Sequence, residues 1–134
     1  MCGMKFSKKT DYAIALIDAL KLTYFSDTFT GLSQIAEKNR LPKMFLEKVA
    51  HILRDEGILM SHKGVHGGYR LARDPSALTL HEVINIFERT SVMARMRPPK
   101  TSKECPVAKF SEPEKRWRDI DTRINSIFKE ITFA

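Results

Sequence analysis

Cysteine is scarce in this chain of 134 residues: there are two, Cys2 and Cys105, far apart in sequence. A disulfide-stapled extracellular domain needs more of them. A metal site built from this chain would need histidine or carboxylate ligands as well. Long apolar runs are missing too. The richest stretch, Tyr12 to Leu20, is interrupted by Asp18 and falls short of the roughly 20 residues that a membrane span requires. The N-terminus shows no apolar core or small-residue cleavage site of an export signal. These absences point to the cytoplasm and away from a membrane partner. Acidic residues are the minority, 16 against 23 Lys and Arg, for a net charge of +7. Such an excess attracts polyanions at long range. A membrane surface would call for a basic amphipathic helix, which the ending Glu130-Ile131-Thr132-Phe133-Ala134 is not. Nucleic acid is therefore the leading partner. The spacings G-x-S-x-G, H-E-x-x-H and the phosphate loop are all missing, so no enzyme and no catalytic residue is expected.

What is present is ordinary globular material, 43% hydrophobic and 29% charged, enough for one core. Tyr12, Ala15, Leu16, Ala19 and Leu20 recur at helical spacing and predict a helix over Asp11 to Leu22. Thr30 has the chemistry of an N-cap for a short helix, Leu32 to Asn39, with Leu32, Ile35 and Ala36 inward. Pro42 suits the first turn of a third helix, which runs to Glu56 and stops at Gly57. Two short strand candidates, Ile58 to His62 and Tyr69 to Ala72, flank a loop with three glycines, which is a hairpin signal. Leu80 to Arg89 reads as helical, with Leu80, Val83, Ile84 and Phe87 on one face. Ser91 to Glu104 reads as a loop with two prolines and four cations. Pro113 to Ile131 reads as a long helix with Trp117, Ile120, Ile124, Ile127 and Ile131 in a 3-4-3-4 seam.

Helix, short helix, turn, helix and Gly-rich ribbon is the order of a winged helix-turn-helix, whose third helix enters the major groove. The expected fold is thus mainly α with a small β-hairpin wing. Residues 1–78 would form the DNA-binding part, and residues 79–134 a linker helix, a loop and a dimerisation helix, all in one compact unit. On the third helix Leu46, Val49, Ala50 and Leu53 make an inward stripe, leaving Lys43, Met44, Glu47, Lys48 and His51 outside. That outer set can meet phosphates, guanine, cytosine N4 and a thymine methyl. Lys63 and His66 flank glycines at the hairpin tip, where a basic wing could approach a minor groove. From Lys38 to Arg73 eight cations face three acids, leaving +5 of the total +7. The isoleucine seam is more apolar surface than so small a domain covers, so it is expected to pack on a two-fold mate.

Three segments carry a resemblance to a known family: Ser7-Lys8-Lys9-Thr10-Asp11-Tyr12-Ala13, Phe45-Leu46-Glu47-Lys48, and Gly64 to Leu71 followed by Leu80-His81-Glu82-Val83-Ile84. They resemble the Rrf-two family of bacterial transcription regulators. The resemblance implies that the first helix (Lys8, Lys9, Tyr12), the third helix and the wing bind an operator, and that the last helix forms a homodimer. By position, Glu47 and Lys48 would read bases and Lys63 would be the wing cation. The family's wing normally reads Arg-Gly-Pro-Gly-Gly-Gly, whereas here it is Lys63-Gly64-Val65-His66-Gly67-Gly68. Cluster-binding members carry three cysteines before the last helix; this chain has Cys105 at the third position and Met96 near the first. One thiolate cannot hold an iron–sulfur cluster, so no cofactor and no metal ligand is expected. Lys103 and the following helix N-terminus would favour a thiolate at Cys105, a candidate redox sensor, with a small-molecule effector as another route for a signal. The readings left open are a winged-helix module that binds protein and not operator DNA, and a cluster sensor with ligands drawn from across the dimer.

Overall fold

A computed structural model describes residues 7–88 and 112–134. The predicted loop Ser91 to Glu104 and Cys105 lie outside the described residues. The first helix, α1, spans Lys8–Lys21 and so begins a turn earlier than the apolar pattern indicates. The cause is polar: Ser7 takes the N-cap, and its hydroxyl accepts from the Thr10 amide at 3.4 Å. A single turn, Tyr24–Ser26, follows, and α2 then spans Leu32–Asn39 with Leu32, Ile35 and Ala36 buried as expected. Thr30 does not cap it. The N-cap is Gly31, without a side-chain bond, because Thr30 is extended and exchanges backbone hydrogen bonds with Tyr69 instead.

Helix α3 spans Lys43–Asp55 with Pro42 as its N-cap. Leu46, Val49, Ala50 and Leu53 are all fully buried, each leucine contributing roughly 1.5–3 kcal/mol for its removal from water. Gly57 ends the helix at φ 76°, a value that L side chains rarely adopt. Its N–H reaches Arg54 O at 3.0 Å, and Ile58 N–H reaches Leu53 O at 2.9 Å. The chain therefore leaves α3 directly into β1, Leu59–His62, which pairs antiparallel with β2, Gly68–Leu71, in the register Leu59 to Leu71 and His62 to Gly68. Helix α3 and the hairpin are joined by three residues, which restricts their relative placement.

Helix α4 spans Leu80–Glu88, after a turn at Pro75–Ala77. Asp74 starts that turn, accepting from the Ser76 hydroxyl at 2.7 Å and the Ser76 amide at 2.8 Å. Those bonds hold its carboxyl below the ordinary value of 3.8. Helix α5 spans Glu112–Glu130. The main core joins α1, α2, α3, the base of the hairpin, Leu78 and Val83, and it also takes in Phe133 from the C-terminal tail. That tail returns along the start of α4: Leu80 N–H donates to Ile131 O at 2.8 Å, and Thr132 pairs with Thr79. Phe128 of α5 is buried against Ile84, with Leu80 and Ile124 packed beside them. The overall result is a mainly helical fold with a two-stranded wing, as the sequence implies.

Candidate nucleic-acid interface

The buried stripe of α3 dictates what it shows to solvent. Lys43, Met44, Glu47, Lys48 and His51 are all exposed, and Met44 keeps 77% of its surface. A methionine so exposed adds little to the core, and its flexible apolar side chain is of a kind that can pack on a thymine methyl. Lys43 and Glu47 stand one turn apart with Nζ and Oε1 at 4.0 Å, a contact of little energetic weight at this exposure. Both groups can therefore exchange it for a phosphate or a base edge.

The wing leaves the C-terminal end of α3 through the short Gly57 connection. Lys63 and His66 are exposed on its tip, and Val65 between them is 98% exposed. Gly68, at φ 150°, lies against the Thr30 backbone so closely that a Cβ there would come within 2.3 Å of Thr30 O. Only glycine permits the Thr30–Tyr69 pairing that seats the hairpin.

The cations counted in the sequence are not equivalent. Arg70 pairs with Asp27, Arg73 with Glu82 at 3.2 Å and Arg54 with Asp55 at 3.7 Å. Arg70 also lies over the Phe29 ring, 5.2 Å from its centroid. Lys38, Arg40, Lys48 and Lys63 have no ion-pair partner among the described residues. The field that a polyanion meets thus comes from fewer groups than the formal +5.

Residues of α1 are divided. Lys8 and Lys9 are exposed in its first turn, but Lys9 lines a depression with Ile52, Glu56, Asn85, Ile86 and Phe87, at the opposite end of α3 from Lys43. Tyr12 is half-buried and packs edge-on against Phe45, with centroids 4.9 Å apart; its ring supports α3 as much as it faces solvent. The seam of α5 is divided as well. Ile120, Ile127 and Ile131 are exposed, while Ile124 is half-buried on its own chain beside Ile84 and Phe128. The side chain of Trp117 lies outside the described residues.

Sequence patterns did not reveal one anchor of α1. Glu88, the last residue of α4, is 4% exposed. Its Oε1 accepts from the Ser7 amide at 2.7 Å and from the Thr10 hydroxyl at 2.8 Å. An acidic residue at the end of an apolar helix face was the one available signal. Among the described residues no three His, Cys, Asp or Glu come together as a metal site, and no helix is long and apolar enough to cross a membrane.

Comparison with known proteins places this geometry. Residues 6–134 match the Rrf2 family, described as an iron-dependent transcriptional regulator. The chain is 28% identical to the HTH-type transcriptional regulator CymR of Bacillus subtilis, over 96% of this chain and 83% of that one. It is 29% identical to the HTH-type transcriptional regulator IscR of Yersinia pseudotuberculosis, over 98% and 77%. The solved structure of CymR, the global cysteine regulator of B. subtilis, superposes with a TM-score of 0.76 at 27% identity, covering 96% of this chain and 92% of that one.

Proposed function

The chain belongs to the Rrf2 family and is a winged-helix, DNA-binding transcriptional regulator, not an enzyme; we propose that it works in the cytoplasm as a homodimeric repressor. Each protomer lays α3 in a major groove and its wing in the adjacent minor groove. One observation carries this reading: the face of α3 that bears Lys43, Met44, Glu47, Lys48 and His51 is entirely exposed, next to a wing whose tip carries Lys63 and His66. Glu47, Lys48 and Met44 read bases, with Lys48 also neutralising a phosphate at the groove edge; Lys63 serves phosphates from the wing, and Lys8 adds a phosphate contact from α1.

The exposed Ile120, Ile127 and Ile131 supply the two-fold contact that half-sites require. Ile124 is spent on α4, so the dimer seam is narrower than the full isoleucine repeat.

The family's description as iron-dependent raises the question of a cluster. Thiolates are the usual ligands, and the chain has only Cys2 and Cys105. This donor set does not fit a cluster held by one chain, and we assign the protein no cofactor. Cys105 stays in the account as a thiol for redox control.

The test is selection from a random duplex library by the purified protein, followed by sequencing. A two-fold symmetric motif with half-sites about one helical turn apart supports the reading. Recovery of no motif, with no binding even at low salt, overturns it and favours a protein-binding winged helix.

A further inference from the structure

The loop between α1 and α2 grips the wing. Asp27 adopts the left-handed conformation at φ 57°, and its carboxylate pairs with the Arg70 guanidinium on β2. Phe29 lies beneath that guanidinium at 5.2 Å, and its ring centroid is 5.4 Å from that of His62 on β1. Arg70 Nε lies 3.0 Å from Met60 Sδ. Thr30 and Tyr69 exchange two backbone bonds of 2.9 Å each. Arg70 is only 23% exposed, so this cation is committed to the protein. A two-stranded ribbon is marginal by itself in water, and this one extends from α3 with its tip, Ser61 to His66, exposed throughout. Both strands are braced at one place, the Phe29 ring, which touches His62 on one strand and Arg70 on the other.

We infer that Phe29 and Asp27 are positioning residues for DNA binding: through Arg70 and His62 they fix the angle at which the wing presents Lys63 to the duplex. The inference rests on the proposed reading of the wing as a DNA contact. A wing free to swing must surrender that freedom on binding, and the contact at its tip is then worth correspondingly less.

A double-mutant cycle on DNA affinity tests it, using fluorescence anisotropy on the selected duplex at 0.15 M salt. One lost phosphate contact scales affinity by the salt concentration to the power of about 0.9, so Lys63→Ala should weaken wild type about fivefold per protomer, or about thirtyfold for the dimer; the factors below are per protomer. In a Phe29→Ala background the same change should cost about twofold or less, and Phe29→Tyr, which keeps the ring, should restore the fivefold effect. A purely structural role for Phe29 would lower the melting temperature and leave the Lys63 effect intact. An undiminished fivefold effect in Phe29→Ala overturns the inference alone. No effect of Lys63→Ala in wild type overturns the wing's role in binding and the inference with it. Phe29 is half-buried and outside the main core, so the variant should fold. If a thermal melt shows otherwise, Asp27→Asn takes its place in the cycle, judged by the same criterion.

Discussion

Replacing Glu88 with alanine should destabilise the protein more than any other single change on α4 outside its apolar face. The carboxylate is 4% exposed and joins residues about 80 positions apart, accepting from the Ser7 amide at 2.7 Å and the Thr10 hydroxyl at 2.8 Å. Hydrogen bonds to a charged group are worth about 1.5–3 kcal/mol each. Removing the acceptor leaves two shielded donors while relieving the burial of one charge, so the net loss should be about 3 kcal/mol. With a urea slope of about 2 kcal/mol per molar, the midpoint should fall by about 1.5 M. Glu88→Gln keeps a neutral acceptor and should lose about 1 kcal/mol. The assay is urea unfolding followed by circular dichroism, at one fixed protein concentration because self-association would otherwise move the midpoint. Thr10→Val supplies the control: combined with Glu88→Ala it should cost less than the two changes separately, since both remove the same bond. A Glu88→Ala midpoint within about 0.3 M of wild type, or full additivity with Thr10→Val, would refute this account of how α1 is tied to α4.

Other outcomes follow from the same geometry. Asp74 should titrate below 3.8 by NMR, because Ser76 donates two bonds to its charged form. A depressed folded value stabilises the protein above the unfolded value, and that contribution disappears as pH falls through the folded one. Asp74→Asn should therefore weaken the fold at pH 7 and approach wild type as the pH falls through the folded value; an equal destabilisation across the whole acid range would contradict it. Ile127→Asp places a carboxylate on the exposed seam of α5, where Ile127 is 52% exposed in the single chain. Sedimentation should show dissociation into folded monomers, and an unchanged dimer would move the interface elsewhere. Glu47→Ala should alter which bases are selected, whereas Lys63→Ala should weaken binding to all sequences alike; identical effects on every sequence would remove the division of labour between α3 and the wing.

Local pattern was enough for the framework. The 3.6-residue spacing of Leu46, Val49, Ala50 and Leu53 gave the face of α3, and the glycines between short apolar runs gave the hairpin. Contacts between distant parts of the chain were hidden, because periodicity records only which side is apolar. Thr30 has the chemistry of a cap, yet Tyr69, 39 positions away, competes for its backbone and wins with two 2.9 Å bonds. The start of α1 was missed because Ser7, Lys8 and Lys9 carry no apolar signal, while a cap and Glu88 hold them in place. Phe128 and Phe133 sit on the same apolar tail as the isoleucine seam, and nothing local distinguishes a side chain that folds back onto Ile84 or the main core from one left outside. Arg70 enters the +5 of residues 38–73 through its formal charge alone, and its pairing with Asp27 and Phe29 commits that charge to the protein.

The most direct measurement of the central claim is the salt dependence of affinity for the selected duplex. Two protomers that each bring Lys48 and Lys63 to phosphates make at least four contacts, so log K against log salt should have a slope of about −3.6 or steeper. Lys48→Ala should reduce the steepness by about 1.8 per dimer. A slope near zero, or one unchanged by Lys48→Ala, would contradict the placement of α3 and the wing on DNA.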